Sequence, residues 1–269
     1  MESLKELSKI CQKPDYKTKG NWMVRTFLRD AAIPMTWLLL HTAVSANQVT
    51  LAALLIGLAG CYAVSLQGDA GFVLGCFLLQ FWYYLDHVDG QIARYRKQDC
   101  LTGRFFDFLM HHVIHGVLVF MLGAYFFYRD AHVAYLFIAW ALSCMILVFN
   151  MLHDIKCKAF IEKITAGGEK TLRVMTREIG GKTAHEDVAK KSLKTLFSAA
   201  HKSVEIHVMM NLMTLGALVN MMLAPCRDSR SLLFVWYAVT LPVLVTAKAV
   251  HAINTRKYDE EYAALFKTL

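Results

Sequence analysis

Six blocks of roughly twenty mostly apolar residues follow one another along this chain, and they constrain its fold more than any other feature. A helix needs about twenty apolar residues to cross the ~30 Å hydrocarbon core of a bilayer. In lipid the backbone must satisfy its own hydrogen bonds, which a helix does within one segment. With 56% hydrophobic and 19% charged residues, the composition is typical of a membrane protein. The sequence predicts an all-α integral membrane protein with six transmembrane helices, at Asn47–Gln67, Ala70–Ala93, Phe105–Tyr128, Ala131–Ile155, Val204–Leu223 and Leu232–Ile253.

The segments outside these blocks define the remaining organisation. Asn21–His41 mixes aromatic and apolar side chains with charged ones and contains Pro34, which favours an N-terminal interfacial amphipathic helix over a further span. We expect residues 1–46 to form a cytosolic N-terminus with this helix, and residues 47–269 to form the six-helix domain. Within that domain the charged segment 156–203 predicts a cytosolic helical insertion, broken at Gly167-Gly168 and Gly180-Gly181. The first twenty residues lack an apolar core, so no cleavable signal peptide is expected.

Positive charge is distributed very unevenly between the two sides of this arrangement. All but three of the 29 lysines and arginines fall in the segments that share a side with both termini, the exceptions being Arg129, Arg227 and Arg230. Cytoplasmic loops carry such an excess, so we predict that both termini and the connection between the second and third spans face the cytoplasm. The formal net charge of +8 is then mainly a topology signal, with the lipid bilayer as the partner surface. The sequence has no stripe of basic residues interleaved with aromatic ones, so a nucleic acid is not expected as a partner.

That connection, LDHVDGQIARYRKQDCLTGRFFDFLMHH at 85–112, concentrates ionisable residues. Asp86 and Asp89 are three apart and share a face at the end of the second span, and Asp107 and His111 are four apart at the start of the third. An antiparallel hairpin brings all four near one point. Carboxylates converging at a membrane boundary repel one another unless a cation joins them, and oxygen-rich clusters suit Mg²⁺, Mn²⁺ or Ca²⁺. Metals held in this way commonly clamp phosphate oxygens.

The same stretch resembles the signature of the CDP-alcohol phosphotransferase family. The pattern D-x-x-D-G-x-x-A-R, eight residues, then G-x-x-x-D is matched by Asp86, Asp89, Gly90, Ala93, Arg94, Gly103 and Asp107. Upstream, SANQVTLAALLIGLAG resembles the family's entry to its first span, with Asn47 and Thr50 at matching positions. The resemblance covers the interfacial helix and about the first three spans.

The resemblance implies an enzyme that transfers a phosphoalcohol group from a CDP-linked donor to an acceptor hydroxyl and releases CMP, in phospholipid or related headgroup biosynthesis. It implies one or two divalent metal ions, Mg²⁺ or Mn²⁺, at Asp86, Asp89 and Asp107. Donor binding falls on Asn47, Thr50, Gly90, Ala93, Arg94 and Gly103. The family's motif ends in a fourth aspartate, a metal ligand and base, and His111 stands there in this chain. A neutral imidazole, with an unperturbed pKa of ~6.5, can act as a base or ligate a metal. His111 is therefore predicted as the catalytic base, as a metal ligand, or as both.

The later spans contain the candidates for acceptor recognition. Ionisable groups near span ends are functional candidates, and Glu205, Lys248 and His251 are the candidates for acceptor recognition. The resemblance suggests a homodimer, although Gly57 and Gly60 are not spaced as GxxxG. His87 and His112 are expected to point away from the acids. Three alternatives remain, namely a catalytically altered nucleotide-binding homologue, a membrane prenyltransferase and a small membrane transporter. A prenyltransferase would have a second aspartate-rich motif facing the first. A transporter would have polar groups near the middle of the membrane.

Overall fold

The computed structural model describes residues 2–12, 22–166, 172–174, 188–223 and 228–268. A π-helical turn at Val24–Leu28 leads directly into the second helix. Two short strands, β1 (Leu172–Val174) and β2 (Phe266–Thr268), pair antiparallel. The helices are α1 (Leu4–Cys11), α2 (Arg29–Leu40), α3 (Ala46–Val64), α4 (Asp69–Tyr95), α5 (Leu101–Asp130), α6 (Ala134–Ala166), α7 (Val188–Ser203), α8 (Ile206–Leu223), α9 (Ser229–Asn254) and α10 (Lys257–Leu265).

Every predicted span corresponds to one helix, from α3 to α6 and then α8 and α9. Among the described residues, α3, α5, α6, α8 and α9 are long and apolar enough to cross a membrane. The second predicted span, α4, is not in that set. It has 27 residues, about 40 Å of helix, but it carries Asp69 at one end and Asp86, Asp89 and Arg94 at the other. Five helices therefore have the length and composition of a span, and the count of six spans stays a prediction.

The fourth span and the insertion after it differ from the prediction. Helix α6 does not end at Ile155 but continues to Ala166, so the first part of 156–203 extends this helix. The change from apolar to charged residues marks where the apolar part of α6 stops, whereas the helix itself is described as far as Ala166. Helix α7 covers the end of the insertion. The predicted break at Gly180-Gly181 lies outside the described residues.

Helices α3, α4 and α5 pack closely because glycines remove side chains at their crossings. A Cβ atom on Gly57 would lie 2.7 Å from Cδ1 of Ile114 in α5, and one on Gly60 would lie 3.1 Å from the backbone nitrogen of Leu79 in α4. Both glycines of α3 thus serve contacts within one chain. The hairpin of α4 and α5 is held at a fixed distance, which is what brings its ionisable residues together at one end.

The opposite end of the bundle is tied by a buried arginine. Arg230, 2% exposed, donates from Nη1 to the Leu66 carbonyl and pairs through Nη2 with Asp228 Oδ2 at 2.8 Å. Its guanidinium lies 3.6 Å from the ring centroid of Tyr125, whose hydroxyl donates to Asp228. Burial alone would raise the pKa of Asp228, but the hydrogen bonds from Arg230 and Tyr125 outweigh it and lower that pKa to about 2. This cluster links α3, α5 and α9 far from the ionisable end.

The N-terminal segment packs against the ionisable end. Helix α2 runs through Pro34 without a break, and its Thr36 hydroxyl donates to Gln91 of α4 at 2.6 Å. Helix α1, which the sequence did not predict, begins with a capping box between Ser3 and Glu6 and also lies against α4. Both helices therefore pack against the end of α4 that carries the ionisable residues.

Candidate active site

An open cleft of about 200 Å³ lies where α4 ends and α5 begins. Helix α4 supplies most of its wall, Asp107 comes from α5, and the N-terminal segment closes the remaining side. The charged and polar groups that converge there come from three parts of the chain, namely α4, the start of α5 and the N-terminal segment. The lining residues are Gln12, Arg29, Asp86, His87, Asp89, Gly90, Gln91, Arg94 and Asp107.

Asp86, Asp107 and His111 form the chemical centre of this region. Nε2 of His111 lies 3.0 Å from Oδ1 of Asp86, a hydrogen bond, and 3.4 Å from Oδ1 of Asp107. One ligand atom from each of the three residues lies within 4.8 Å of the others. Oδ1 of Asp107 is buried and has no hydrogen-bond partner. A buried carboxylate oxygen without a partner is costly, so it marks a place where a proton or a cation is expected.

Neighbouring aromatic packing fixes His111 in this position. The ring of Trp82, fully buried in α4, meets the imidazole edge to face at a centroid distance of 5.2 Å. The indole nitrogen of Trp82 faces the sulfur of Met110 at 3.2 Å, which joins α4 and α5 one residue before the histidine. The imidazole is thereby held against the carboxylates with 28% of its side chain exposed.

Asp89 lies on the cleft wall but outside the group of three. Its carboxylate, 7% exposed, accepts a 2.6 Å hydrogen bond from the hydroxyl of Thr50 in α3. Thr50, predicted as a donor-binding residue, thus contacts an acid and orients it. Asp89 stays a predicted metal ligand beside Asp86 and Asp107.

The predicted donor-binding residues divide into two groups. Gly90 and Arg94 line the cleft, whereas Asn47, Thr50, Ala93 and Gly103 do not. A Cβ atom on Gly90 would lie 3.1 Å from Nη1 of Arg94, so the glycine leaves room for the guanidinium. A Cβ atom added to Gly103 would meet no atom closer than 3.7 Å, so crowding within this chain does not explain why a glycine stands there.

Three histidines near the motif take different positions. His87 was expected to point away from the acids, yet it lines the cleft, with Nδ1 3.5 Å from Oδ2 of Asp86, because the cleft is wider than one face of α4. His112 does point away, with Nε2 3.4 Å from Asp154 of α6. His115, 3% exposed, has Nδ1 3.2 Å from the amide nitrogen of Asn150, a contact between α5 and α6.

Sequence reasoning missed four lining residues, Gln12, Arg29, His87 and Gln91. His87 and Gln91 are neighbours of motif positions along α4, and the helical period alone could have shown that they flank the acids. Gln12 and Arg29 reach the cleft through the docking of α1 and α2, which no local pattern reveals.

A second polar cluster lies beside the cleft at the junction of α7, α8 and α9. Glu205 is 3.1 Å from Nε2 of His207 and 3.8 Å from Nδ1 of His201. His201 in turn lies 3.3 Å from Nζ of Lys248. Two predicted acceptor candidates, Glu205 and Lys248, therefore belong to one cluster. The third, His251, is exposed and belongs to neither group.

The His207 ring connects this cluster to the cleft. It stacks on the ring of Tyr83 at a centroid distance of 6.5 Å, and Tyr83 contacts His87 on the cleft wall at 4.9 Å. A continuous line of aromatic and polar side chains thus runs from the acids to Lys248.

Comparison with known proteins gives the family of this site. Among solved structures, the chain is similar to a phosphatidylinositol phosphate synthase of Mycobacterium tuberculosis with CDP-DAG bound, at 16% identity and a TM-score of 0.47, over 80% of this chain and 90% of that one. No curated protein matches significantly. The family model of CDP-alcohol phosphatidyltransferases matches residues 43–176, which include every motif position from Asn47 to His111. The chain therefore carries a CDP-alcohol phosphatidyltransferase domain, and Asp86, Asp107 and His111 lie within it.

Proposed function

We propose that this protein transfers a phosphoalcohol group from a CDP-linked donor to an acceptor hydroxyl in phospholipid synthesis, with release of CMP. The observation that carries the proposal is the convergence of Asp86, Asp107 and His111 beside Gly90 and Arg94 within the matched domain. The acceptor oxygen attacks the phosphorus that bears the donor's alcohol. The bond from that phosphorus to the bridging oxygen breaks, and CMP leaves with the electron pair.

The acceptor must lose its hydroxyl proton in this reaction, and His111 is the proposed base. Its Nε2 faces the carboxylate of Asp86 and, as an N–H group, donates to it. A neutral imidazole protonated at Nε2 carries its lone pair on Nδ1. Among the described residues Nδ1 has no hydrogen-bond partner. Nδ1 is therefore the atom that would take the proton, while Asp86 stabilises the imidazolium that results.

His111 cannot be the catalytic base and a metal ligand through Nε2 in the same protonation state. A neutral imidazole that binds a metal through Nε2 carries its proton on Nδ1 and has no lone pair left for a base. We therefore assign the base role to His111 and the metal ligands to the carboxylates.

The carboxylate set fits a hard divalent cation such as Mg²⁺ or Mn²⁺. Asp86, Asp89 and Asp107 supply only oxygen ligands, and Oδ1 of Asp107, buried without a hydrogen bond, supports a cation at this place. When bound, the ion would neutralise charge on the diphosphate. Thr50 of α3 orients the Asp89 carboxylate, and His111 of α5 orients that of Asp86.

Acceptor recognition is proposed for the second polar cluster. Glu205 can accept hydrogen bonds from hydroxyl groups, and Lys248 can pair with an anionic group on the acceptor. Lys248 is held over the ring of Phe149 at 3.9 Å, which orients its ammonium group. His251, which is exposed outside the cluster, stays a candidate from the sequence alone.

The proposal is tested with purified protein in lipid nanodiscs, a panel of CDP-lipid and CDP-headgroup donors, a lipid extract and Mg²⁺ or Mn²⁺. Mass spectrometry of the products identifies donor and acceptor, and CMP release gives the rate. We expect Asp86→Asn to abolish release and Asp154→Asn to retain it, since Asp154 is an exposed carboxylate of α6 outside the cleft.

The contrary outcomes point to specific alternatives. Binding of CMP without turnover of any donor would indicate a catalytically altered homologue. Absence of cytidine nucleotide binding would instead favour a transporter.

A further inference from the structure

Helix α1 lies against the cleft although it is outside the matched family domain. Leu7 and Cys11 on its inner face are fully buried, and they pack with Ile33 of α2. Near its start, Glu2 accepts a 2.7 Å hydrogen bond from the hydroxyl of Tyr95 in α4. The helix is therefore docked by an apolar contact and by a polar one.

The C-terminal end of α1 meets the side chain of Arg94. The last four carbonyl groups of a helix have no partner within it, and this end carries a partial negative charge. The Cys11 carbonyl is one of these groups, and it accepts a hydrogen bond from Nε of Arg94. This contact satisfies the Cys11 carbonyl and the Nε–H group of Arg94.

The contact fixes which nitrogens of Arg94 face the cleft. With Nε engaged, Nη1 and Nη2 lie over Gly90, 3.1 and 3.4 Å from the position a Cβ atom would take there. Within the part of the chain that the structure describes, neither nitrogen has a hydrogen-bond partner. Two parallel N–H groups on a planar guanidinium match the geometry of a phosphate.

Gln12, the residue after α1, joins the same wall. Its amide donates to the Arg29 carbonyl at 3.1 Å, and the amide of Gln91 in α4 donates to the same carbonyl at 2.8 Å. The end of α1 is thus bound to the cleft at two places, through Arg94 and through the Arg29 carbonyl.

We propose that α1 is a positioning element of the donor site, which holds Arg94 through the Cys11 carbonyl so that Nη1 and Nη2 face the diphosphate of a cytidine nucleotide. The inference rests on the proposed function and adds to it a part of the chain that lies outside the family domain. An arginine already fixed by one bond loses less conformational freedom when it binds a ligand. Undocking α1 should therefore weaken nucleotide binding by about tenfold, the scale of one rotamer-rich side chain left free.

The test uses the full chain in nanodiscs, with cytidine 5′-diphosphate and Mg²⁺ as the probe in calorimetry. Leu7→Ser removes the buried anchor, and Leu4→Ser is the matched control because Leu4 is 46% exposed on the same helix. We expect the dissociation constant to rise about tenfold in Leu7→Ser and to stay unchanged in Leu4→Ser.

A double-mutant cycle separates positioning from general loosening. If α1 acts through Arg94, Leu7→Ser should have no further effect in an Arg94→Met background. An equal effect of Leu7→Ser in both backgrounds, or none in either, overturns the inference. If Leu7→Ser does not fold, Tyr95→Phe takes its place, with about a threefold weakening expected from the lost hydrogen bond and the same criterion.

The failure of this inference can be told from the failure of the proposed function. Wild-type protein that does not bind cytidine 5′-diphosphate overturns both. Wild-type protein that binds it, with Leu7→Ser binding equally well, overturns only the role of α1.

Discussion

A Gly90→Ala substitution tests whether Arg94 has to lie where the structure places it. The added Cβ atom would lie 3.1 Å from Nη1 and 3.4 Å from Nη2, so the guanidinium has to move by a few tenths of an ångström. The contact involves only the end of a flexible side chain, and alanine is favoured over glycine in a helix by about 1 kcal/mol. The free energy of unfolding should therefore stay the same or rise.

Donor binding should respond in the opposite direction. Hydrogen bonds to charged groups contribute about 1.5–3 kcal/mol, and displacing the guanidinium from the diphosphate forfeits much of this. The dissociation constant for the donor should rise roughly 10- to 100-fold. Calorimetry with a cytidine nucleotide measures the binding, and thermal unfolding in detergent measures the stability.

Gly103→Ala is the matched control, since it is also a motif glycine on a helix. Its Cβ atom would meet Sγ of Cys100 at 3.7 Å and Oδ1 of Asn47 at 3.8 Å, which are ordinary contacts. Because this alanine does not displace Arg94, a loss of nucleotide binding in Gly103→Ala reports the donor contact that the resemblance implies for Gly103 itself. A folded Gly90→Ala protein that binds the nucleotide as tightly as wild type would refute the placement of Arg94.

Three further predictions concern the base, an acid and the opposite end of the bundle. His111→Ala should lower kcat by about 10²–10⁴ with donor binding retained, and a near-normal rate with an unchanged pH profile would reject the base role. Thr50→Val removes the 2.6 Å hydrogen bond to Asp89 and should raise the metal concentration for half-maximal activity by about tenfold; an unchanged metal titration would contradict it. Asp228→Asn should destabilise the fold by about 3 kcal/mol, whereas Asp130→Asn, at an exposed site, should not. The pKa of Asp228 is lowered to about 2, so the stability that its charge contributes is complete above the unfolded pKa of about 3.9 and is lost as pH falls through about 2. Asp228→Asn should therefore lower the free energy of unfolding equally at pH 7 and pH 5.5. A destabilisation that disappears at pH 5.5 would disprove this.

The sequence predicted the helices of the bundle and the end at which the site lies. Local information was sufficient there, because apolar blocks define the helices, and a spacing of three or four residues places Asp86 beside Asp89 and Asp107 beside His111. The close approach of Asp86 to His111 required only that the two helices form a hairpin.

The features that the sequence did not predict depend on contacts between distant segments. Thr50 and Asp89 are 39 residues apart, and Arg94 and Cys11 are 83 apart. Helix α1 has only eight residues, four of them polar, and nothing in so short a segment shows what Leu7 packs against or that the last carbonyl accepts from an arginine. The division of roles between His111 and the carboxylates needed the position of Nε2, which spacing cannot provide.

The anomalous density of Mn²⁺ in crystals grown with a cytidine nucleotide shows whether these carboxylates hold a metal against the donor. We expect a peak bound by oxygens of Asp86 and Asp107, with Nε2 of His111 on the Asp86 carboxylate and the nucleotide's phosphates facing Arg94. A nucleotide bound elsewhere, or an active crystal form without Mn²⁺ at these carboxylates, would contradict it.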